Sequence, residues 1–230
     1  MKIAIMGAMV EEITPLTDYF KEYEKTTYAG NTFYTCTYKD VELIIAYSKI
    51  GKVFASLTAS TMIEKFGATH LLFSGVAGAI SDELRIGDLI VATRLCQHDL
   101  DITAFGHPYG FVPEGKVFVE TDSQLRNIAH QVAEEMQIPL KEGIIATGDQ
   151  FVADEKRKAW IKETFNADAL EMEGAAVAVV CDALEIPFCI LRAISDAADM
   201  DAGFNFDTFL ESSAKESAKF IIKMVDRIIG

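Results

Sequence analysis

The chain has 230 residues and a formal net charge of −14 at pH 7, and half of its residues are hydrophobic. Nucleic acids and anionic membrane surfaces are bound through basic patches, so this acidic balance excludes both as main partners. The length, the 5 prolines and the lack of a Ser/Gly-rich linker or repeat predict a single domain over residues 1–230 with a sizeable core.

The four cysteines show no CxxC spacing and lie in apolar runs, at Cys36, Cys96, Cys181 and Cys189. Buried free thiols suit a reducing compartment, so we expect a cytoplasmic protein. The first residues, "MKIAIMGAMVEE", are apolar only over a short run that two acids interrupt. That run is too short to span a bilayer and carries no cleavage signal, so we interpret it as a first strand.

The chain then alternates strand-like and helical patterns. "KIAIMGA" predicts a buried strand, and "VEEITPLTDYFKEY" predicts the helix that follows it. The β-branched and aromatic stretch "NTFYTCTYKDVELIIAYSKIG" predicts a hairpin around a Lys-Asp turn. "KVFASLTASTMIEKFG" has helical spacing and ends on Gly67, a residue suited to the position after a helix.

"HLLFSGVAGAI" and "GDLIVATRLCQ" predict two further strands, and "ITAFGHPYGFVPEG" predicts a long loop of the kind that is usually functional or interfacial. The later elements are a helix over 124–137, the strand "KEGIIATGDQFV", a helix over 154–164, a strand entering "EMEG", a helix from Ala175, the strand "FCILRAIS" and the helix "FDTFLESSAKESAKFIIKMVDRII". This alternation predicts an α/β fold with a sheet covered on both faces.

Ligands of such folds collect at the carboxyl ends of strands. The stretches that end the predicted strands are acidic, polar or glycine-rich, namely 9–12, 75–78, 148–152, 171–173 and 195–196. If the chain stays extended through Glu173, alternation places Glu171 and Glu173 on the same side of the strand. The alternative is that these two acids are solvated or stabilise the start of the next helix through its dipole.

Other motifs have competing interpretations. Ser195 and Asp196 at the end of "LRAISD" could equally form a helix N-cap. "FSGVAGAI" lacks the GxGxxG spacing and the Walker lysine, which disfavours a nucleotide-phosphate site, and its glycines favour close approach of a small ligand. The "QHDLD" cluster of His98, Asp99 and Asp101 invites a metal site, but no other histidine lies at ligand spacing, so we expect neither metal nor cofactor.

Taken together, several segments closely resemble, in order and spacing, the bacterial 5′-methylthioadenosine/S-adenosylhomocysteine nucleosidases of the nucleoside phosphorylase superfamily. The segments are "KIAIMGAMVEEI", "SGVAGAI", "DLDITAFGHPYGFVP", "ATGDQFV", "LEMEGAAVAVVC" and "LRAISDAAD…FDTFL". The resemblance implies a three-layer α/β sandwich with a central twisted mixed sheet, a homodimer, and hydrolytic release of adenine from 5′-substituted adenosines in methionine salvage. The segment "QHDLDITAFGHPYGFVPE" is most similar to the branch that also hydrolyses 6-amino-6-deoxyfutalosine in menaquinone synthesis.

The resemblance also implies roles for individual residues. Asp196 matches the acid that protonates the departing adenine, and Ser195 would orient it. An acid in this role must hold a proton near neutral pH, so we expect burial to raise the pKa of Asp196. Glu12 matches the base that activates water. Glu173 and the Met172 N–H match the clamp on the ribose 2′- and 3′-hydroxyls.

The remaining implied positions surround these groups. Glu171 and Arg192 would lie around the water, and Phe151 and Val152 would stack on and read the adenine. The other implied contacts are Val76 and Gly78 in the glycine loop, Met9, Ile50 and Phe206 around the 5′-substituent, and Ile102, Phe105 and Pro113 from the neighbouring subunit. Plain core or interface packing is the alternative for the apolar ones. At the position of Val76 many family members carry serine, so the water has one side-chain partner fewer here.

Two other functions compete with hydrolysis. A phosphorylase of the same superfamily must hold a phosphate dianion, which the charges of Glu11 and Glu12 would repel. A non-catalytic adenosine-binding module would have little reason to retain Glu12, Glu173 and Asp196 together, because desolvated carboxylates are costly.

Overall fold

The computed structural model of the chain describes residues 1–198 and 201–230. Asp199, the last residue of the "LRAISDAAD" segment, lies outside this part. The strands are β1 (Lys2–Gly7), β2 (Glu24–Tyr28), β3 (Asn31–Tyr38), β4 (Val41–Tyr47), β5 (His70–Ala79), β6 (Leu89–Gln97), β7 (Val119–Glu120), β8 (Leu140–Thr147), β9 (Ala169–Glu171) and β10 (Phe188–Asp196). The helices are α1 (Val10–Phe20), α2 (Lys52–Ser60), α3 (Ser123–Met136), α4 (Glu155–Phe165), α5 (Gly174–Ala183) and α6 (Ala202–Ile229).

Each predicted strand and helix is present, with shifts at several ends. The hairpin of β3 and β4 turns at Lys39 and Asp40, whose φ angles of 47° and 65° give the backbone of a two-residue turn. Helix α2 continues as a π-helical segment, Thr61–Lys65, before Gly67 at φ 75°. The strand predicted over 141–152 ends at Thr147, and the helix predicted from Phe206 begins at Ala202.

The strands form one mixed sheet, and part of it closes on itself. Strand β1 pairs in parallel with β4 and β5, and β3 and β2 extend the sheet beyond β4. On the other side β10 pairs with both β5 and β6, while β8 and β9 complete the path from β6 back to β5. These five strands, β5, β9, β8, β6 and β10, therefore close into a ring.

Helices cover both faces of the sheet, which confirms the predicted mixed α/β class. Strand β1 shows the separation, because Ala4 and Met6 pack in one cluster with α2 and α5, whereas Ile3 and Ile5 pack in another with α1, α3 and α6. Helix α4 packs against β8 in a third cluster. In the described ranges no helix combines the length and apolar character needed to cross a membrane.

Candidate active site

A cavity of about 300 Å³ lies where the five polar or glycine-rich strand ends meet. That volume is at the lower end of the range for small-molecule sites. The predicted residues that line it are Met9, Glu12, Ile50, Val76, Gly78, Phe151, Val152, Glu171, Met172, Glu173, Ser195, Asp196 and Phe206. Four residues that were not predicted also line it, namely Ala8, Ala77, Gln150 and Leu170. Each adjoins a predicted residue, so the motifs located the segment without showing which neighbour faces inward.

Four predicted residues lie elsewhere. Arg192 is buried next to the cavity, where it contacts Glu171 instead of lining the wall. Ile102, Phe105 and Pro113 belong to the long loop after β6 and do not line the cavity of their own chain. Phe105 is 81% exposed, an unusual position for a phenylalanine that is not covered by another molecule.

Glu12 is fixed at the start of α1 by main-chain donors. Its Oε2 accepts hydrogen bonds from the N–H groups of Ala8 at 2.5 Å and Met9 at 3.0 Å, and its Oε1 accepts from the Val76 N–H at 3.0 Å. A Cβ on Gly75 would lie 2.7 Å from Oε1, so only glycine lets β5 approach this carboxylate. The turn between β1 and α1, together with β5, therefore holds one buried carboxylate in a single orientation.

The surroundings of Glu12 have opposing effects on the pKa of its carboxyl group. Burial raises the pKa of Glu12, while the Arg192 guanidinium and the three N–H groups favour the charged form. Burial is the larger effect, so Glu12 is a stronger base than an exposed glutamate. A basic carboxylate at the wall of a cavity can accept a proton from a bound water molecule.

Glu171 joins the end of β9 to the start of α5. Its Oε1 accepts from the Thr147 hydroxyl at 2.5 Å, and its Oε2 accepts from the Gly174 N–H at 2.7 Å and from Arg192 Nη2 at 2.7 Å. The Arg192 guanidinium also packs 4.1 Å from the centre of the Phe73 ring. The buried cation therefore has a counter-ion and an aromatic face, and it stands beside the Glu12 carboxylate.

Glu173 occupies a different position from the one predicted. The chain is not extended through it, because β9 ends at Glu171 and Glu173 has φ −138° and ψ −36° at the N-cap of α5. Strand alternation was therefore the wrong basis for placing the two acids together. Both reach the cavity, but Glu173 contacts α2, where its Oε1 accepts from the Gly51 N–H at 2.8 Å.

The surroundings of Glu173 disfavour the charged form of its carboxyl group. Burial, followed by the neighbouring Glu171 carboxylate, raises the pKa of Glu173 to about 8, although the Gly51 N–H and Arg192 oppose the rise. The surroundings of this side chain therefore favour its protonated form over the charged one. A group that can both donate and accept suits binding to hydroxyl groups.

Asp196 ends β10 after a β-bulge that places it opposite Gly78. Its Oδ2 accepts from the Ser195 hydroxyl at 2.9 Å and its Oδ1 from the Ala198 N–H at 2.8 Å. A Cβ on Gly78 would lie 2.7 Å from Oδ1, so the glycine makes room for the carboxyl group. Bulges re-aim side chains in this way, and here the carboxyl group faces the cavity.

An aromatic pair also lines the cavity. The rings of Phe151 and Phe206 meet edge to face, with centroids 5.7 Å apart. Phe151 is half exposed, whereas its neighbour Val152 is buried. A planar ligand could stack on the Phe151 ring while the main chain of Val152 meets its edge.

The "QHDLD" cluster does not assemble as a metal site in the described residues, where no group of three or more His, Cys, Asp or Glu side chains could hold an ion. His98 is buried, and its Nδ1 lies 3.1 Å from Arg157 Nη2. Asp99 forms an ion pair with Lys52 at 2.7 Å. Asp101 accepts hydrogen bonds from the N–H and the hydroxyl of Thr103.

A mixed sheet surrounds one cavity that four carboxylates line, and comparison with known proteins identifies the class of protein that has this arrangement. The family model of the Phosphorylase superfamily matches residues 2–229, and the chain belongs to this superfamily.

Individual relatives narrow the comparison. The aminodeoxyfutalosine nucleosidase of Campylobacter jejuni is 60% identical over 228 residues, which cover 99% of this chain and 100% of that protein. A 5′-methylthioadenosine/S-adenosylhomocysteine nucleosidase of a Geobacillus species is 38% identical over 230 residues, covering 99% of each. The crystal structure of the Helicobacter pylori 5′-methylthioadenosine/S-adenosylhomocysteine nucleosidase with butyl-thio-DADMe-Immucillin-A superposes with a TM-score of 0.97 at 52% identity, covering 98% of each chain.

Proposed function

We propose that this protein is an N-ribosyl hydrolase that removes adenine from 5′-methylthioadenosine, S-adenosylhomocysteine, 5′-deoxyadenosine and 6-amino-6-deoxyfutalosine. The observation that carries the proposal is that Glu12, Glu173 and Asp196, from three separate segments, line one cavity. The nucleosidase names of the relatives support it. Methionine salvage and futalosine-route menaquinone synthesis are the corresponding pathways, and residues 1–230 would act as one catalytic domain.

The leaving group requires an acid. Breaking the C1′–N9 bond leaves electron density on the purine, which a proton at N7 relieves. Asp196 is the proposed donor, because it lines the same cavity as Phe151 and Val152, the proposed adenine slot. The hydrogen bond from Ser195 fixes one oxygen, and the Ala198 N–H fixes the other.

The sugar requires negative charge and a water molecule. As the bond breaks, the ribose becomes an oxocarbenium-like cation, which nearby carboxylates stabilise. Glu12 would take a proton from the attacking water, and the resulting hydroxyl group would bond to C1′. Glu173 and the Met172 N–H would hold the 2′- and 3′-hydroxyls, and the buried Glu171–Arg192 pair would support this wall.

The 5′-substituent would lie among Met9, Ile50 and Phe206. Ile50 is 54% exposed, so this side of the cavity opens to the surface within one chain. An open end supports the acceptance of 5′-substituents that differ in length.

A homodimer would close this open end. In this proposal Ile102, Phe105 and Pro113 of one protomer cover the 5′-substituent bound to its partner. The exposed apolar surface of α2 supports such an interface, because Val53, Phe54 and Leu57 all project into solvent in the single chain.

A cytoplasmic location is supported by the cysteines. All four are free thiols, and burial raises the pKa values of Cys96, Cys181 and Cys189 to about 12. Protonated, buried thiols are inert and suit a reducing compartment.

One assay tests the proposal against its rivals. The pure protein is incubated with 5′-methylthioadenosine with and without phosphate, and the products are identified by chromatography and mass spectrometry. Adenine and methylthioribose without phosphate are the expected products. A requirement for phosphate, with a sugar 1-phosphate as product, would instead establish a phosphorylase. No release of adenine would leave a binding module.

A further inference from the structure

Asp99 follows β6 and lies outside the cavity, yet its carboxylate joins two segments that line it. Its Oδ1 accepts from Lys52 Nζ at 2.7 Å, and its Oδ2 accepts from the Asp149 N–H at 2.8 Å. The side chains of Lys52 and Asp99 are only 18% and 14% exposed. Lys52 is two residues from Ile50, and Asp149 is two residues from Phe151, and both of those residues line the cavity.

Further hydrogen bonds lie at the start of α2. With those of Asp99 they form a closed loop of Asp99, Lys52 and Asp149, which we call the Lys52–Asp149 circuit. The Lys52 N–H donates to Asp149 Oδ1 at 2.8 Å, and the preceding Gly51 N–H donates to Glu173 Oε1 at 2.8 Å. Gly51 has φ 101°, and a Cβ there would lie 3.0 Å from Asp149 Oδ1. Asp99 therefore holds Asp149, Asp149 holds the backbone at the start of α2, and the Gly51 N–H at that start holds Glu173.

We infer that Asp99 is a positioning residue, which sets the place of the Glu173 carboxyl group and of the Phe151 loop through the Lys52–Asp149 circuit. The inference rests on the proposed function, since Glu173 is taken to grip the ribose hydroxyls. It assigns a part in that reaction to the "QHDLD" segment, whose side chains lie outside the cavity wall.

The charge of Asp99 agrees with this role. Burial opposes ionisation of Asp99, but the hydrogen bonds from Lys52 and the Asp149 N–H outweigh it, so the pKa of Asp99 lies below its ordinary value. The carboxylate therefore stays charged at neutral pH and can accept both hydrogen bonds. An asparagine of the same shape keeps one acceptor oxygen and turns an amide N–H₂ toward the other donor.

The test is a double-mutant cycle on the hydrolysis of 5′-methylthioadenosine. Asp99→Asn, Glu173→Gln and the double variant are compared with the unmodified protein, with enzyme in excess so that slow variants are measured in a single turnover. Asp99→Asn should lower kcat/KM by about 10- to 100-fold, because small displacements of positioning groups cost this much. In the Glu173→Gln background the same change should cost less than about 3-fold. Asp82→Asn, a surface aspartate in an exposed ion pair, is the matched control and should leave kcat/KM unchanged.

Equal losses in both backgrounds, or no loss from Asp99→Asn, would overturn the inference. Circular dichroism checks the fold, and if Asp99→Asn does not fold, Lys52→Met breaks the same circuit from the other side and enters the same cycle. The unmodified protein separates the two proposals. If the unmodified protein releases no adenine, the proposed function is wrong. If it releases adenine but Asp99→Asn causes the same loss of kcat/KM with and without Glu173→Gln, only the role of Asp99 is wrong.

Discussion

Arg192 Nη2 donates to Glu171 Oε2 at 2.7 Å, and the two side chains are 1% and 3% exposed. The pair ties the middle of β10 to the end of β9, directly behind the cavity. Two opposite charges buried together need each other, because removal of one leaves the other uncompensated in a poorly solvated place. The back wall of the candidate site is therefore stable only when both residues of the pair are present.

The first prediction concerns this pair. Arg192→Met and Glu171→Gln should each lower the free energy of unfolding by about 3–5 kcal/mol, and the double variant should cost less than their sum. Urea denaturation followed by circular dichroism measures all three. Lys162→Met, which breaks the exposed pair with Asp82, is the control and should cost less than about 1 kcal/mol. Additive effects at Arg192 and Glu171 would contradict the coupling.

The second prediction concerns the base. Glu12→Gln should reduce kcat for 5′-methylthioadenosine by on the order of 10²–10⁴, because the amide cannot accept a proton from water. Glu11→Gln changes the same charge one residue away on the exposed side of α1 and should have little effect. Adenine release is followed by chromatography, with circular dichroism as the check on folding. Near-full activity of Glu12→Gln would remove Glu12 from its role.

The third prediction concerns the acid. Asp196→Asn should also reduce kcat by on the order of 10²–10⁴, since asparagine cannot transfer a proton to the purine. The kcat of this variant should fall much less with a substrate whose leaving group departs without protonation, such as 4-nitrophenyl riboside. An equal loss with both substrates would indicate that the substitution disturbs binding or folding instead of proton transfer.

The fourth prediction concerns pH. The pKa of Glu173 is raised from 4.5 to about 8, so the folded protein binds this proton more tightly than the unfolded chain. The contribution of Glu173 to stability is fully present below pH 4.5 and is lost as pH rises through 8. Glu173→Gln should remove this loss, so the difference in unfolding free energy between pH 5 and pH 9 should shrink by on the order of a few kcal/mol. Denaturation of both proteins at the two pH values tests it, and parallel pH profiles would contradict it.

The fifth prediction concerns the proposed dimer. Phe105→Ala should raise KM for 5′-methylthioadenosine while its own cavity stays intact. When this variant and Asp196→Asn are unfolded together and refolded, activity at a substrate concentration well below the raised KM should exceed the sum of the two alone, because a mixed dimer contains one complete site. Strict additivity over a range of mixing ratios would argue against a loop shared between subunits.

Much of the fold follows from local patterns in the sequence. The buried strands are continuous apolar runs, and the Lys39–Asp40 turn is visible between two of them. Strand β2 was missed because "EKTTY" has no apolar alternation, and its exposed place at the edge of the sheet requires none. Pairing of β10 with both β5 and β6 could not be predicted either, because it depends on contacts between distant segments.

In the candidate site, too, local sequence patterns predicted some features, whereas contacts between distant segments could not be predicted. Motifs located the acids, and the resemblance gave Ser195 as a partner of Asp196, but the groups that hold Glu171 and Glu173 were not predicted. Glu171 is held by Thr147 and Arg192, which are 24 and 21 residues away, and Glu173 by Gly51, which is 122 residues away. Spacing along the chain carries no information about such hydrogen bonds. The expectation that strand alternation aligns the two acids was wrong because β9 ends at Glu171 and α5 starts directly after Glu173, although both acids line the cavity.

The ring of five strands has a consequence for aggregation. A strand inside a closed ring offers no unpaired row of N–H and C=O groups to another protein. Among the longer strands of the described chain, β2 is the one with a free outer side, and its exposed Glu24 and Lys25 hinder stacking of a second copy against it. Valine at these two positions should therefore make it easier for β2 to pair with the β2 strand of a second copy of the chain.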